Sequence, residues 1–462
     1  MKFTKFGKAL LMGALSVGVV LGITSCVQSY SVGYLYVTGT ATAQTSGAGI
    51  ISGFKIDHNT GKLTSINGLP ISSGGANPVC AALAIQSRFI YVLNRGVNAS
   101  GGSICTPPGT LPGPCQNSNI TLFAVGGNGV LTPQETFYTQ GINPFRMMVD
   151  NTGSYLLVLD HDSPDNLAPS GTDGCANALS GVTTCGDITV FQINQITGRL
   201  SLVVNGQVSS ATGQKLTYFP VPANPVDFVL AGSNMLTLSG ASFSYNASTG
   251  AYNGGTSVFP YTYVPTSGQM TVTSNGAQLL GITQGNAMYY TFNELYVLDN
   301  DPITLTFNGV STTSESQILP FAVGPNGSLQ PAATGTVPDD PTLSNPIAML
   351  EENKGKFLYF ANQGNNASGA NTQSGISGYF LTTLPTYQLS FIPGEPFGSG
   401  AGPQCIVEDP SDQFIYEADF NDSTIYGRVI DPNSGVLNNM RSTNSYAVQG
   451  PPTWCLVDGR TS

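Results

Sequence analysis

The chain has 462 residues, of which 40% are hydrophobic and only 9% are charged, and it contains 56 glycines and 30 prolines. This composition excludes a highly charged disordered chain and favours a folded, turn-rich, all-β protein, because glycine and proline are common in turns and rare inside helices. The formal net charge of −11 argues against nucleic acid as a partner, since an acidic surface repels phosphate backbones.

The N-terminal segment has the features of an export signal. Lys2, Lys5 and Lys8 form a basic start, and residues 9–23 form an apolar run that is too short to span a bilayer as a helix. The run ends in Ile-Thr-Ser-Cys at Cys26, which resembles the bacterial lipobox, in which the cysteine is lipidated and becomes the first residue. An ordinary secretory signal with an incidental cysteine is the alternative.

This signal predicts where the protein goes. We expect a lipoprotein signal peptide over residues 1–25, a lipidated tether over residues 26–32 and an anchor that holds the protein on a membrane without a spanning helix. Residue 27 is Val27 rather than Asp, so an outer membrane or cell surface is favoured over the inner membrane. Removal of three lysines with the signal takes the net charge from −11 to −14.

Export to an oxidising compartment predicts disulfides. Two cysteine pairs share a spacing of ten residues in Gly-rich stretches, Cys105 with Cys115 and Cys175 with Cys185. Each pair predicts a loop-closing disulfide that contributes about 2–3 kcal/mol in the chain-entropy model. Cys80, Cys405 and Cys455 remain, an odd number, and we interpret them as buried small residues or as one disulfide with an unpaired thiol.

A repeated pattern organises the rest of the chain. Seven apolar, strand-like runs occupy residues 34–37, 89–92, 155–158, 235–238, 294–297, 357–360 and 414–417. A proline opens a short apolar stretch before most of them, at Pro78, Pro144, Pro225, Pro346, Pro403 and Pro452, with Asn286 in the fifth unit. A glycine turn follows six of them, at Gly61, Gly129, Gly198, Gly268, Gly327 and Gly435.

Four strands per unit and seven units predict one seven-bladed β-propeller over residues 33–462, with antiparallel blades. The first unit lacks its proline-led strand, and the last unit has a surplus one at residues 452–457. We therefore predict that the C-terminal strand joins the N-terminal blade and closes the ring, which removes two sheet edges. A pair of β-sandwiches is the alternative fold, and it gives no reason for the missing and surplus strands to match.

The Leu-Tyr-Val runs that end in Asn or Asp, with turns such as residues 431–435, resemble the YVTN-repeat, lactonase-type propeller family. The resemblance covers about residues 30–460. The family includes propeller-type 6-phosphogluconolactonase and muconate-lactonizing enzymes, together with exported propellers of no known activity. Its enzymes gather His, Arg and Glu side chains at the channel mouth, from the starts of inner strands and the ends of second strands.

The resemblance selects candidate residues at the matching places. The inner-strand starts are Cys80, Arg146, Val226, Ala287, Ile347, Cys405 and Thr453 or its neighbours. Among these, Arg146 is the candidate cation for substrate. At the second-strand ends, His161 with Asp160 is the candidate pair for proton transfer, and Glu417 is a further candidate.

Two functions are consistent with the sequence. The first is a non-catalytic binding module that recognises a small molecule, carbohydrate or protein through long segments on one face, predicted at residues 96–118, 161–185, 241–254, 301–314 and 363–374. The alternative is a lactone hydrolase that resembles 6-phosphogluconolactonase. No cofactor is predicted. No metal site is predicted either, because His and Cys residues lack ligand spacing, although Asp299 and Asp301 carry the oxygen ligands that Ca²⁺ prefers.

Overall fold

The computed structural model describes residues 30–41, 47–98, 115–164, 167, 185–210, 212–246, 251–291, 294–307, 310–332, 335–364, 373–382, 388–441 and 443–459. In these residues the regular elements are β-strands, apart from the short 3-10 helix Pro325–Gly327. No helix of this part of the chain is both long and apolar enough to cross a membrane. The predicted signal and Cys26 lie outside the described residues.

The strands form seven antiparallel blades, and strands a to d of each blade run from the centre outward. Blade 1 contains Pro452–Asp458, Ser31–Thr40, Ala48–Asp57 and Leu63–Ser65. Blade 2 contains Pro78–Ala84, Phe89–Asn94, Asn119–Val125 and Leu131–Phe137. Blade 3 contains Ile142–Val149, Tyr155–Asp162, Cys185–Ile193 and Leu200–Leu202. Blade 4 contains Pro225–Ala231, Asn234–Asn246, Ala251–Val264 and Gln269–Val272.

The remaining three blades repeat the order. Blade 5 contains Gly285–Thr291, Glu294–Asp299, Gln317–Val323 and Leu329–Pro331. Blade 6 contains Pro346–Glu351, Phe357–Asn362, Gly375–Thr382 and Gln388–Phe391. Blade 7 contains Pro403–Glu408, Phe414–Asp419, Thr424–Ile430 and Leu437–Asn439. Strand c of five blades also pairs with a short extra strand, at Ile71–Ala76, Phe219–Ala223, Gln278–Leu279, Val337–Pro338 and Ser445–Ala447.

The ring closes as predicted. Pro452–Asp458 pairs antiparallel with Ser31–Thr40, in a register that sets Tyr34 opposite Asp458 and Thr38 opposite Trp454. Seven apolar clusters of the described residues fill the seven contacts between neighbouring blades, including the contact between blades 7 and 1. The seven-bladed propeller is confirmed and the sandwich alternative is wrong.

Tyrosine hydroxyls tie neighbouring blades together and explain why Tyr and Gly recur in the repeat. A strand-b tyrosine donates a hydrogen bond to the turn-glycine carbonyl of a neighbouring blade in four places: Tyr36 to Gly129 (2.7 Å), Tyr91 to Gly198 (2.6 Å), Tyr359 to Gly435 (2.7 Å) and Tyr416 to Gly61 (2.6 Å). Gly61 has a φ of +66°, and a Cβ there would overlap the ring of Phe414, so glycine is required at this turn. The Tyr416 bond also spans the closure between blades 7 and 1.

Each strand a begins with an irregularity that aims its side chains. The pairing with strand b shifts register between the opening residue and the residue two positions later, as between Pro78 and Cys80 or between Pro225 and Asp227. Proline donates no ladder hydrogen bond, so a bulge is tolerated at this point. In four blades an asparagine with positive φ stands directly before the proline, namely Asn77, Asn143, Asn224 and Asn345, a conformation that asparagine adopts more readily than most residues.

Two segments differ from their predicted form. Residues 241–254 and 301–314 were predicted as loops, but most of them belong to strands. Asn234–Asn246 and Ala251–Val264 extend together as one long hairpin, and Ile303–Phe307 pairs with Val310–Ser314. Six of the ten residues in the two strands of the second hairpin are β-branched, which favours strands over irregular loops.

Candidate functional site

The inner strands bring chemically distinct side chains to the central channel. The residue two positions after the opening proline is Trp454 in blade 1, Cys80 in blade 2, Arg146 in blade 3 and Asp227 in blade 4. Tyr289 of blade 5 joins them, because its electrostatic partners include Arg146, Asp227 and Cys80. Five consecutive blades thus contribute to one site.

Arg146 and Asp227 form the ionic centre of this site. Arg146 Nε lies 3.3 Å from Asp227 Oδ1, and the two side chains are 27% and 9% exposed. Burial opposes the charge of Arg146, but Asp227 outweighs it, so the pKa of Arg146 is raised. Asp227 Oδ1 also accepts the N–H of Phe228 (2.9 Å) and Oδ2 accepts the N–H of Met288 (2.8 Å). Asp227 is therefore held by two backbone N–H groups and positions Arg146.

Part of the Arg146 side chain remains exposed. Its Cζ lies 5.6 Å from the centre of the Trp454 ring, a cation–π contact that spans blades 3 and 1. Its two terminal nitrogens make no hydrogen bond to any described residue, and the side chain remains partly exposed. The guanidinium is thus oriented on two sides and free to donate to a bound oxygen atom.

Cys80 and Tyr289 supply protonated groups beside Arg146. Cys80 is a free, fully buried thiol 3.3 Å from the carbonyl oxygen of Met147. Burial raises the pKa of Cys80 to about 12, and burial also raises the pKa of Tyr289 to about 12. The Tyr289 hydroxyl donates to the carbonyl of Ile347 (3.4 Å). Neither group is an anionic nucleophile near neutral pH.

His161 lies at the end of strand b in blade 3 and bridges to blade 4. Its Nδ1 lies 3.1 Å from Asp162 Oδ1, and its Nε2 lies 3.2 Å from Asn224 Oδ1. Asn224 is held in turn because its amide donates to the carbonyl of Gly240. The carboxylate partner of His161 is thus Asp162, not the Asp160 expected from the sequence, because the side chain of Asp160 is fully buried against Thr189 inside the blade. Both ring nitrogens are engaged within the protein.

Asp160 instead pairs with Asp187 inside blade 3. Both side chains are fully buried, and the Thr189 hydroxyl lies 3.2 Å from Asp160 Oδ2 and 3.4 Å from Asp187 Oδ1. A Cβ at Gly141 would overlap Asp187 Oδ2, so glycine allows the backbone to approach the pair. Burial raises the pKa of Asp160 to about 8 and, with the charge of Asp160, raises the pKa of Asp187 well above its usual range. The pair retains at least one proton near neutral pH.

Glu417 does not join the channel site. It is fully buried in blade 7, and neither of its carboxyl oxygens accepts a hydrogen bond from a described residue. The charged groups that act on it are Asp419, Arg428 and Asp422, all of blade 7. Burial raises the pKa of Glu417 well above its usual range. Glu417 thus lies among charged groups of its own blade, and Arg146 is not among the groups that act on it.

The candidate calcium ligands Asp299 and Asp301 accept hydrogen bonds from neighbouring side chains. Asp299 Oδ2 accepts a hydrogen bond from Gln317 (2.7 Å), and Asp301 Oδ1 accepts hydrogen bonds from Thr283 (2.6 Å) and Gln284 (2.9 Å). Among the described residues no group of three or more His, Cys, Asp and Glu side chains is arranged to hold a metal ion.

The cysteines follow the predicted pattern where the structure describes them. Cys405 and Cys455 form a disulfide between the inner strands of blades 7 and 1, and Cys80 is free, which confirms one disulfide with an unpaired thiol. Cys185 is disulfide-bonded. Cys105, Cys175 and the side chain of Cys115 lie outside the described residues, so the pairing of those two loops stays a prediction.

Sequence reasoning missed Asp227 and did not single out Trp454. The signal was present, because Arg146 and Cys80 both stand two positions after a proline, and the same offset selects Asp227 and Trp454. The predicted residues Val226 and Thr453 stand only one position after the proline that opens the strand. The bulge at each strand start repeats the geometry from blade to blade, so the same offset had to be applied in every blade.

Comparisons with known proteins agree with this architecture. Residues 36–168 match the family model described as "Lactonase, 7-bladed beta-propeller". The resemblance to lactonase-type propellers is confirmed. The solved structure of the periplasmic gluconolactonase of Pseudomonas aeruginosa is 17% identical, with a TM-score of 0.58, 92% of this chain covered and 99% of that chain covered.

Two further solved structures are similar to this chain. A putative 6-phosphogluconolactonase from Bacteroides uniformis is 13% identical, with a TM-score of 0.58 and with 92% of this chain and 99% of that chain covered. Another from Bacteroides fragilis is 14% identical, with a TM-score of 0.58 and coverages of 92% and 98%. No curated protein matches the sequence. At these identities the structural likeness establishes the fold.

Proposed function

We propose that this protein is a lactone hydrolase that binds its substrate against Arg146 in the central channel. The observation that carries the proposal is a guanidinium held by Asp227 and Trp454 with both terminal nitrogens free to donate. The match of residues 36–168 to the lactonase propeller family supports it, as does the gluconolactonase activity named for a similar structure.

The proposed chemistry is addition of water to the lactone carbonyl. The water oxygen bonds to the carbonyl carbon, and the carbonyl electron pair moves to oxygen, where the charge develops opposite Arg146. Collapse of this intermediate breaks the ring C–O bond, and the leaving alkoxide takes the proton that the water loses. The product is a hydroxy acid. Arg146 stabilises the oxyanion, a role in which a single donor contributes about 10²–10³ in rate.

The neighbours of Arg146 fit supporting roles. Asp227 fixes the guanidinium through Nε, and the backbone N–H groups of Phe228 and Met288 hold the same carboxyl in place, so its role is to position Arg146. The Trp454 ring offers an apolar platform for a sugar ring next to the cation. Since Cys80 and Tyr289 remain protonated, attack by water or hydroxide is favoured over a covalent intermediate.

Arg146→Met is expected to lower kcat/KM for lactone hydrolysis by about 10²–10³-fold, because the oxyanion loses its donor. A pH-stat assay with a panel of sugar lactones, including gluconolactone, measures it, and each rate is corrected for spontaneous hydrolysis. Arg441→Met, at an exposed arginine of blade 7, is the matched control and should retain wild-type turnover. Turnover that survives in Arg146→Met would contradict the proposal.

A non-catalytic binding module is the second candidate, and two observations favour it. The hairpins that extend strands b and c of blade 4 and follow strand b of blade 5 project from the end of the blades where strand a begins. His161 has both ring nitrogens engaged, so it is not free to take a proton from a substrate. Trp454 is the sole tryptophan of the chain, so its fluorescence should report ligand binding next to Arg146. Binding without turnover would support this second function.

We also propose that the protein is exported and anchored by a lipid at Cys26. The disulfide-bonded state of Cys185, Cys405 and Cys455 fits an oxidising compartment. Cys26→Ser is expected to move the protein from the membrane fraction to the soluble exported fraction and to abolish incorporation of labelled fatty acid. Cys80→Ser, at a buried thiol of the propeller, is the control. Equal labelling of wild type and Cys26→Ser would disprove the anchor.

A further inference from the structure

Arg95 is a buried cation that the proposed reaction does not use. It follows directly after strand b of blade 2, Phe89–Asn94, and is only 5% exposed. Its backbone N–H donates to the carbonyl of Asn77 (2.9 Å), which fixes the position of the residue. Its buried Nε has no hydrogen-bond acceptor among the described residues, and its guanidinium makes no salt bridge to them.

The acid that acts on Arg95 is already committed elsewhere. Asp162 influences Arg95 electrostatically, but its Oδ1 contacts His161 Nδ1 (3.1 Å) and its Oδ2 accepts a hydrogen bond from Asn143 (2.7 Å). Burial lowers the pKa of Arg95 to about 10, so the side chain is still charged at neutral pH. A buried charge without a direct partner is unfavourable unless a bound group supplies one.

We propose that Arg95 is the cationic centre of an anion-binding site at the channel mouth, which takes the carboxylate or phosphate group of a ligand. A guanidinium presents paired N–H donors that match two oxygens of either group. The net charge of −11 repels anions from the surface as a whole, so anion binding here requires a specific cation. Arg95 follows strand b of blade 2, whereas Arg146 lies on strand a of blade 3 and pairs with Asp227 of blade 4.

Calorimetric titration of the purified protein with inorganic phosphate and, separately, with acetate tests the site. Wild type is expected to bind at least one of the two saturably at millimolar concentration. Arg95→Met should weaken binding at least about tenfold, because the charge-assisted bonds are lost. Arg95→Lys should retain weaker binding, because the charge remains without the fork of donors. Arg441→Met, which removes an exposed arginine, should bind as wild type does.

Two controls separate this site from a structural role and from lactone hydrolysis. Arg95→Met is expected to unfold at the same temperature as wild type, or a higher one, without added anion, since an unpaired buried charge is removed. Arg146→Met should keep its phosphate and acetate affinity even if lactone turnover fails. Equal affinity of wild type and Arg95→Met for both anions, or no saturable binding of either anion to wild type, would overturn the proposal.

Discussion

The protein is expected to lose at least about 6 kcal/mol of unfolding free energy between pH 5 and pH 8, through two buried carboxyl pairs. The pairs are Asp160 with Asp187 in blade 3 and Glu417 with Asp419 in blade 7, and all four side chains are fully buried. Each has at least one carboxyl oxygen without a hydrogen-bond donor among the described residues. Ionisation in the folded state therefore places charge on buried carboxyl oxygens that lack a hydrogen-bond donor among the described residues.

The unfolding free energy falls with rising pH because burial raises the pKa values of these carboxyl groups. Burial raises the pKa of Asp160 and of Asp419 to about 8, far above the value of an unfolded aspartate. The folded state thus holds a proton that the unfolded state releases near pH 4. Stability from this proton is complete below about pH 4 and is lost as the pH rises to about 8. One such carboxyl in each pair costs about 3 kcal/mol between pH 5 and pH 8.

Denaturant unfolding at pH 5, 6.5 and 8 measures this dependence. Asp160→Asn and Asp419→Asn should each flatten it, because a neutral amide replaces a titrating carboxyl. Asp431→Asn is the control, since this exposed carboxylate accepts turn N–H groups and has a lowered pKa, so it acts below pH 4. Stability that rises from pH 5 to pH 8 would refute the interpretation. A loss of this size is comparable with the whole stability of many domains.

The sequence predicted the propeller fold better than it predicted the contacts around Arg146. Strand b is buried between two blades, so it reads as a continuous apolar run that can be counted along the chain. Ring closure was visible because one unit lacked a strand that another had in surplus. The loops at residues 241–254 and 301–314 were predicted wrongly because turn-forming residues in them obscured the strand pattern.

The contacts within the site join side chains of different blades. The spacing of the repeats along the sequence does not give the distances between those side chains. Trp454 and Arg146 are separated by about 300 positions in the chain and meet only because blade 1 is completed by the C-terminus. His161 could be selected as a polar strand end, but its contact with Asn224 needs the position of the next blade. Arg95 follows the end of strand b in blade 2, and what sets it apart is a buried Nε without a hydrogen-bond acceptor among the described residues.

Deletion of residues 452–462 is expected to abolish cooperative folding. Without Pro452–Asp458 the strand Ser31–Thr40 becomes an open edge, and the apolar clusters on both sides of blade 1 lose Trp454, Leu456 and Val457. Each buried side chain of this size contributes about 1.5–3 kcal/mol, and the exposed edge favours aggregation. Circular dichroism and size-exclusion chromatography should show loss of the monomeric folded state.

Removal of the disulfide between Cys405 and Cys455 distinguishes two contributions of the C-terminal strand to stability, its packing and its covalent link to blade 7. The double variant Cys405→Ala with Cys455→Ala keeps the strand but removes a bridge that closes a loop of 50 residues, so it should fold with a loss of about 4 kcal/mol. If the deletion variant unfolds with the same midpoint as the double variant, packing of the C-terminal strand contributes nothing. A larger loss in the deletion variant shows that closure rests on strand pairing and burial, with the disulfide holding an already formed ring together. Because Trp454 lies next to Cys455, the double variant should also change Trp454 fluorescence and weaken ligand binding at Arg146 if the bridge positions that ring.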